Sequence, residues 1–371
     1  MACQERPSPL PTPLLTWTPE PIVPTATRVG TAESLIPSSA TTTPVALSNL
    51  TPTPRPSPTL SGVTAAPGMP LVERVGVSGD LYDLAGGLAA GLPFGLFMNW
   101  DVVLERPSAD VTFWQMVRLA ETGVVGVSWA ELDMAVTNQP GSVWIVGNEP
   151  DVIWQDNVTP ERYAELYQSV YSFVKERDPT AQIAVGGVTQ STPLRLAYLD
   201  RVLAAYETQF GTAMPVDIWT VHAFILREER GSWGVDIPPG MEAQQGMLYE
   251  IADHVDMTIF MANIRAFRQW MWQRGYGERP LAVTEFGILM PFEYGFAAEA
   301  VAEFMGQTFD FFLTARDESV GYAPDDYRLV QWWFWYSLHD PDLYPTGNLY
   351  ERQTGQLTTL GEAWRMYMEA H

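Results

Sequence analysis

Two short stretches hold residue types that could do chemistry, "GNEPD" (147–151) and "TEFG" (284–287). Each places a glutamate, Glu149 or Glu285, at the end of an apolar run that reads as a buried strand, "VWIV" and "LAV". Alone, either carboxylate would be read as a solvated loop residue. Facing one another, they are a proton donor and a nucleophile or base, the minimum set for hydrolysing an acetal. Other chemistries lack residues to carry them. There is no G-x-S-x-G run, the single cysteine is Cys3, no glycine-rich phosphate loop follows a strand, and the four histidines (222, 254, 339 and 371) show no paired ligand spacing. No metal or cofactor is therefore expected. Asp340, Asp342 and Asn348 in "HDPDLYPTGN" could cradle calcium, but a turn-rich polar loop accounts for the same residues.

The two glutamates lie far apart in the chain, so a scaffold must bring them together. Short apolar, β-branched or aromatic runs alternate with longer segments of helical period, the pattern of a parallel sheet built from βα units. Candidate strands span 71–78, 95–100, 112–119, 143–149, 182–187, 217–224, 281–287 and 330–337. Eight such units predict an α/β fold, a (β/α)8 TIM barrel, with an open doubly wound sheet as the alternative. The third strand is ambiguous, since 110–121 also reads as a helix with "VVGVS" (124–128) as the strand. About ten residues separate strands two and three, too few for a crossover helix. Helix signals are clear elsewhere. Ser128 and Glu131 fit a capping box, and Thr159-Pro160 opens a helix whose apolar face is Tyr163, Leu166, Tyr167, Val170 and Val174. Residues 257–274, closed by Gly275, and 297–316 repeat the pattern.

In such a barrel the strand C-termini converge on one rim, where Glu149 would end strand four and Glu285 strand seven. Strict alternation aims both inward, Glu149 on the face of Val143, Ile145 and Gly147, and Glu285 on the face of Leu281 and Val283. The negative charge of Glu285 disfavours a second charge nearby, so Glu149 is expected to stay protonated near neutral pH.

Composition divides the chain of 371 residues. Residues 1–70 hold 15 of the 30 prolines, 13 threonines and 7 serines with only six charges, and read as a disordered tail or linker. Residues 71–371 form the expected domain and carry the net charge of −23, which repels nucleic acid and anionic lipid and suits a neutral polysaccharide or oligosaccharide. An acidic surface also favours a monomer. "MACQ" ahead of a Pro/Thr-rich stalk resembles a mature bacterial lipoprotein with Cys3 lipidated, which would be the one membrane tether and would place the protein extracellularly or at the cell surface. A free thiol in a tail is the alternative.

"NEPD" at strand four, "VHAF" on a later strand and "TEFG" at strand seven resemble the clan A glycoside hydrolases, retaining enzymes on (β/α)8 barrels. Within the clan they are most similar to the family 128 β-1,3-glucanases, with families 39 and 5 as close competitors. The resemblance implies a retaining β-glycosidase, an endo-acting glucanase, with Glu149 as acid/base, Glu285 as nucleophile and Asn148 on the sugar 2-hydroxyl. A catalytically silent glycan-binding barrel and a transglycosylase using the same two glutamates are the competing readings.

Around the pair, His222 ends strand six and is expected to contact sugar, orient Glu285 or pack in the core. Asn99 and Trp100 end strand two and could bind a hydroxyl or serve packing. Of the tryptophans in "WWFWY", Trp335 is expected to face the sugar and Trp332 to lie in the outer core. Residues 225–256 form the longest connection, from which Trp233 or Arg227 could reach substrate. Trp154 and Tyr294, just past the glutamates, are candidate subsite walls.

Overall fold

In a computed structural model, which describes residues 64–340 and 344–371, the apolar runs become eight strands: β1 (Val75–Ser78), β2 (Leu96–Met98), β3 (Thr112–Val117), β4 (Val143–Val146), β5 (Gln182–Val185), β6 (Trp219–His222), β7 (Leu281–Gly287) and β8 (Trp332–Tyr336). All pair in parallel in the order β5-β4-β3-β2-β1-β8-β7-β6. Bridges from Ala184 to Ile218 and from Val188 to Val221 join the two ends, so the sheet closes into a (β/α)8 TIM barrel. Closure excludes the doubly wound alternative.

Among the described residues, besides a four-residue helix at Leu71–Arg74, seven longer helices surround the barrel: α1 (Leu81–Ala89), α2 (Trp129–Asn138), α3 (Pro160–Arg177), α4 (Pro193–Phe210), α5 (Met257–Gln273), α6 (Ala298–Thr314) and α7 (Thr359–Ala370). No helix follows β2, because residues 99–111 cross directly to β3. The third strand is "TFWQMV", and the competing "VVGVS" supplies only Val124 to a small hairpin of Leu119–Ala120 with Gly123–Val124. Ser128 and Glu131 make the expected capping box. At α3 the predicted apolar face is buried, but Thr159 caps with its backbone alone. Its N–H donates to the Glu121 carboxylate instead.

Inward and outward residues sort cleanly. Leu96, Met98, Trp114, Met116, Val143, Ile145, Ala184, Ile218, Ala282, Trp332 and Phe334 fill the barrel interior. Trp114 packs edge-on against Trp332 at 5.7 Å and Phe334 at 5.0 Å. Their neighbours on each strand, among them Trp144, Trp219, Val283, Trp333 and Trp335, pack outward against the helices. This parity corrects two expectations. Trp332 lies inside the barrel, and Trp335 lies outside it, fully buried, with its indole N–H donating to the Gly347 carbonyl and its ring against Phe286. Trp335 is therefore core and does not face the barrel rim.

The packed domain already includes residues ahead of 71. Ala65 is buried under the interior cluster, and the Ala66 carbonyl accepts from Arg74, which also forms a buried pair with Asp325. The expected tail up to residue 63, with Cys3 and its lipidation, lies outside the described residues, as does Asp342. No helix among the described residues is long and apolar enough to cross a membrane.

Candidate active site

Strand β4 ends in a turn that its sequence dictates. Gly147 has φ +90, and a Cβ there would come within 3.2–3.3 Å of Tyr163, Asp156 and Leu119. Two residues on, Glu149 itself has φ +43, a left-handed conformation that costs a non-glycine residue about 1–3 kcal/mol and recurs at functional sites. The turn is held from three sides. Asp156 accepts from the Asn148 and Leu119 N–H groups and pairs with Arg118, while the Glu149 N–H donates to the Gly187 carbonyl. Asp151 is fully buried against Arg195 at 2.7 Å. Burial raises the Asp151 carboxyl, Arg195 opposes that, and the nearby Glu149 charge adds to the rise.

Strand β7 reaches the same place by a different route. Both neighbouring strands show one extra residue in β7: Val221 and His222 align with Val283 and Glu285, and Trp333 and Trp335 align with Val283 and Phe286. The bulge at Thr284 reverses parity. Leu281 and Val283 face outward and Ala282 inward, yet Glu285 turns inward and Phe286 outward. Strict alternation thus named the correct direction for Glu285 from the wrong face, and the bulge supplies the physical cause.

His222, at the end of β6, lies between the two glutamates. Its Nδ1 is 2.9 Å from Glu149 Oε1 and 3.7 Å from Glu285 Oε2. One donor atom from each of the three residues lies within 4.8 Å of the others. Gly187 makes room for the imidazole, since a Cβ there would sit 2.7 Å from His222 Cδ2. On the far side, the Trp100 indole N–H donates to Glu285 Oε1 at 2.8 Å. All three central side chains are buried. Burial raises the Glu285 pKa, the Glu149 charge raises it further, and His222, Trp100 and Arg118 oppose the rise without cancelling it. For His222 burial acts downward, but the charges of Glu285 and Glu149 outweigh it and the net shift is upward. The set can move protons and attack an electrophile. One imidazole and two carboxylates are also donors that suit a divalent cation.

The remaining candidates divide. Asn148 is buried, and its Oδ1 has no hydrogen-bond partner among the described residues, which leaves an acceptor beside Glu149. Asn99 accepts from the Asp101 N–H and shapes the turn after β2. Arg227 is engaged within its own loop by Glu229 and Glu250. Trp154, Tyr294 and Trp233 are exposed at 52%, 37% and 37%, on the connections after β4, β7 and β6. Asn348 bridges the backbone of Asp340 from both its amide atoms, so it ties the base of its loop.

Two residues of the site escaped sequence reasoning. Tyr336 takes the inward position at the end of β8, with its ring 5.8 Å from Trp100 and its hydroxyl on Asp340. Counting parity from an inward Phe334 would have found it. Arg195, at the start of α4, reaches Asp151, Glu228 and the carbonyls of Val235 and Asp236, and so clamps the 225–256 connection to the Glu149 turn. A lone arginine in "TPLR" carries no spacing signal.

His254 is a second tie on that connection. Its Nδ1–H donates to the Ile225 carbonyl at 2.9 Å, and its Nε2 accepts from Leu289 N–H at 3.0 Å. Burial pushes its pKa down to about 4 from 6.5. The folded state therefore refuses a proton that the unfolded chain accepts. Stability is complete above pH 6.5 and is lost as the pH falls toward 4, by about 3 kcal/mol in all. Urea unfolding between pH 7 and pH 4.5 should show this slope, and His254→Asn should flatten it. An equal slope in both proteins would contradict the assignment.

No protein-family model and no curated protein matches the chain. Solved structures do. A GH128 (subgroup II) endo-β-1,3-glucanase from Pseudomonas viridiflava superposes with a TM-score of 0.53 at 17% identity, over 79% of this chain and 96% of that one. A GH128 (subgroup III) curdlan-specific exo-β-1,3-glucanase from Blastomyces gilchristii gives 0.52 at 18%, over 80% and 99%. A GH128 (subgroup VII) oligosaccharide-binding protein from Cryptococcus neoformans gives 0.52 at 17%, over 84% and 100%. The barrel is therefore of the kind the motifs resemble. At these identities the likeness is one of fold.

Proposed function

We propose that the protein is a retaining glycoside hydrolase acting on a β-linked glucan, with an endo-acting β-1,3-glucanase as the specific reading. The observation that carries it is the approach of Glu149 and Glu285 from β4 and β7, with carboxyl oxygens within 4.8 Å. Retaining enzymes hold their carboxyl groups about 5–5.5 Å apart, and inverting ones leave roughly 6.5–9.5 Å for a water. An oxygen-to-oxygen approach within 4.8 Å is compatible with direct attack. The Trp100 indole N–H donates to Glu285 Oε1, a bond that is stronger to a carboxylate than to a neutral carboxyl, and this favours Glu285 as the nucleophile against the upward pull of burial and Glu149 on its pKa. Glu149, beside an imidazole that can give or take a proton, is the acid/base.

In the first step a lone pair of Glu285 bonds C1, the C1–oxygen bond breaks, and the leaving oxygen takes its electron pair and the Glu149 proton. In the second, water bonds C1 as its proton passes to Glu149, and the C1–Glu285 bond returns its pair to the carboxylate. Asn148 Oδ1 is the acceptor for a sugar hydroxyl beside Glu149. Trp154, Tyr294 and Trp233 are the aromatic surfaces for flanking sugars. A neutral polymer also suits the charge of −23, and Cys3 with the Pro/Thr-rich segment fits a surface-tethered, monomeric enzyme.

The fold likeness to an oligosaccharide-binding protein favours a second reading, glycan binding without hydrolysis. Reducing-end release over a panel of β-1,3-, mixed-linkage and β-1,4-glucans and mannan, with product sizes followed over time, separates the readings. Hydrolysis of the β-1,3-glucan that persists in a chelator is the expected result. Retained binding with no new reducing ends would establish the binding reading, longer products would reveal transglycosylation, and activity lost to the chelator would assign the three donors to a metal.

A further inference from the structure

Trp100 was expected to serve a sugar hydroxyl or packing, yet its N–H is already committed. We infer that Trp100 is a positioning residue that holds Glu285 through Oε1 and leaves Oε2 as the oxygen that bonds C1. The inference rests on the proposed glycosidase reading for its kinetic consequences but not for its geometry. The two oxygens of Glu285 have different surroundings: Oε1 accepts from Trp100 at 2.8 Å, while Oε2 lies 3.7 Å from His222 Nδ1, on the side of Glu149. A tryptophan N–H lies in the ring plane, so the bond turns the ring edge to the carboxylate. The ring itself leans on Tyr336, with centroids 5.8 Å apart and planes at 59°. Trp100 is thereby held from two sides, by a strand-end tyrosine and by the carboxylate.

The charged and titratable groups facing Glu285 are Glu149 after β4, His222 on β6, Arg118 after β3 and Tyr336 on β8. Of these, Arg118 is engaged by Asp156 and His222 by Glu149, so Trp100 is the donor that belongs to Glu285. A hydrogen bond to a carboxylate is stronger than one to an ester carbonyl. The Trp100 bond therefore weakens when Oε2 bonds C1 and recovers when water displaces the sugar and the electron pair returns to Oε2. Its loss should impair release of the sugar and make Glu285 easier to protonate.

Two measurements test this. In the wild-type protein the indole N–H resonance of Trp100 should follow the ionisation of Glu285 in an NMR titration, and should lose that titration in Glu285→Gln. This readout needs no catalysis, so it stands even if the protein hydrolyses nothing, the outcome that would sink the glycosidase reading alone. In Trp100→Phe the acid limb of kcat/KM should move up by about one pH unit, and the glycosyl-enzyme should accumulate as its hydrolysis slows about tenfold. A Trp100 resonance that ignores Glu285 overturns the inference. So does a variant with an unmoved acid limb whose only defect is a higher KM, which would make Trp100 a sugar platform.

Discussion

Glu285→Gln should bind glucan as the wild type does and hydrolyse it roughly 10⁴-fold more slowly or worse, the scale of loss when a covalent nucleophile leaves a preorganised site. The amide has the same shape and can still accept from Trp100 through its oxygen, so the site should keep its form. What disappears is the lone pair that bonds C1. Stability should move the other way. The folded-state pKa of Glu285 is raised by burial and by Glu149, so the folded protein holds this proton more tightly than the unfolded chain does. Ionising Glu285 as the pH rises through that range therefore costs stability. The amide has no charge to desolvate, and the variant should melt at or above the wild-type temperature at pH 7. Isothermal titration with a β-1,3-glucan oligosaccharide, reducing-end assays and thermal melts read the three effects separately. A variant that keeps its hydrolysis would remove Glu285 from the chemistry. One that loses binding as well would make Glu285 a ligand contact.

Glu149→Gln should show a loss that depends on the leaving group. General acid–base assistance is worth about 10²–10⁴-fold, and a sugar leaving group needs all of it. An aryl glycoside whose leaving group departs without a proton should still glycosylate Glu285 at nearly the wild-type rate. Its second step should then stall, because no base remains to deprotonate water. A small anion that needs no deprotonation, such as azide, should attack C1 in place of water and restore turnover with a glycosyl azide as product. An equal loss on both substrates, unmoved by azide, would show that Glu149 holds the site together and does not transfer protons. His222 complicates the reading only modestly, since its Nδ1 at 2.9 Å can still bond the amide.

Much of this was legible in the chain because two signals were strong. Runs such as "VWIV" and "LAV" with intervening helical faces specify a parallel barrel, and a carboxylate at the end of each of two such runs specifies a shared rim. What failed was parity. A strand's faces are set by its absolute register in the sheet, and in "WWFWY" or "LAV" every residue is apolar enough to face either way. Trp335 was misplaced for that reason. Glu285 came out right only because an unforeseen bulge reversed an incorrect starting face. The Trp100–Glu285 bond and the Arg195 clamp join residues distant in the chain through single side chains, and no periodicity announces such contacts. The left-handed backbone at Glu149 follows the same logic, since "GNEP" shows that a turn is due but not which residue will carry the strain.

The most direct test is covalent. A 2-deoxy-2-fluoro-β-glycosyl fluoride carries its own leaving group and slows the second step more than the first, so a retaining enzyme stops at the glycosyl ester. After digestion, mass spectrometry should find one fluorosugar, attached to the peptide bearing Glu285. Attachment to Glu149 would exchange the two roles. No adduct, together with an α-configured first product in proton NMR, would mean that water attacks C1 directly and that the two carboxylates do not work by double displacement.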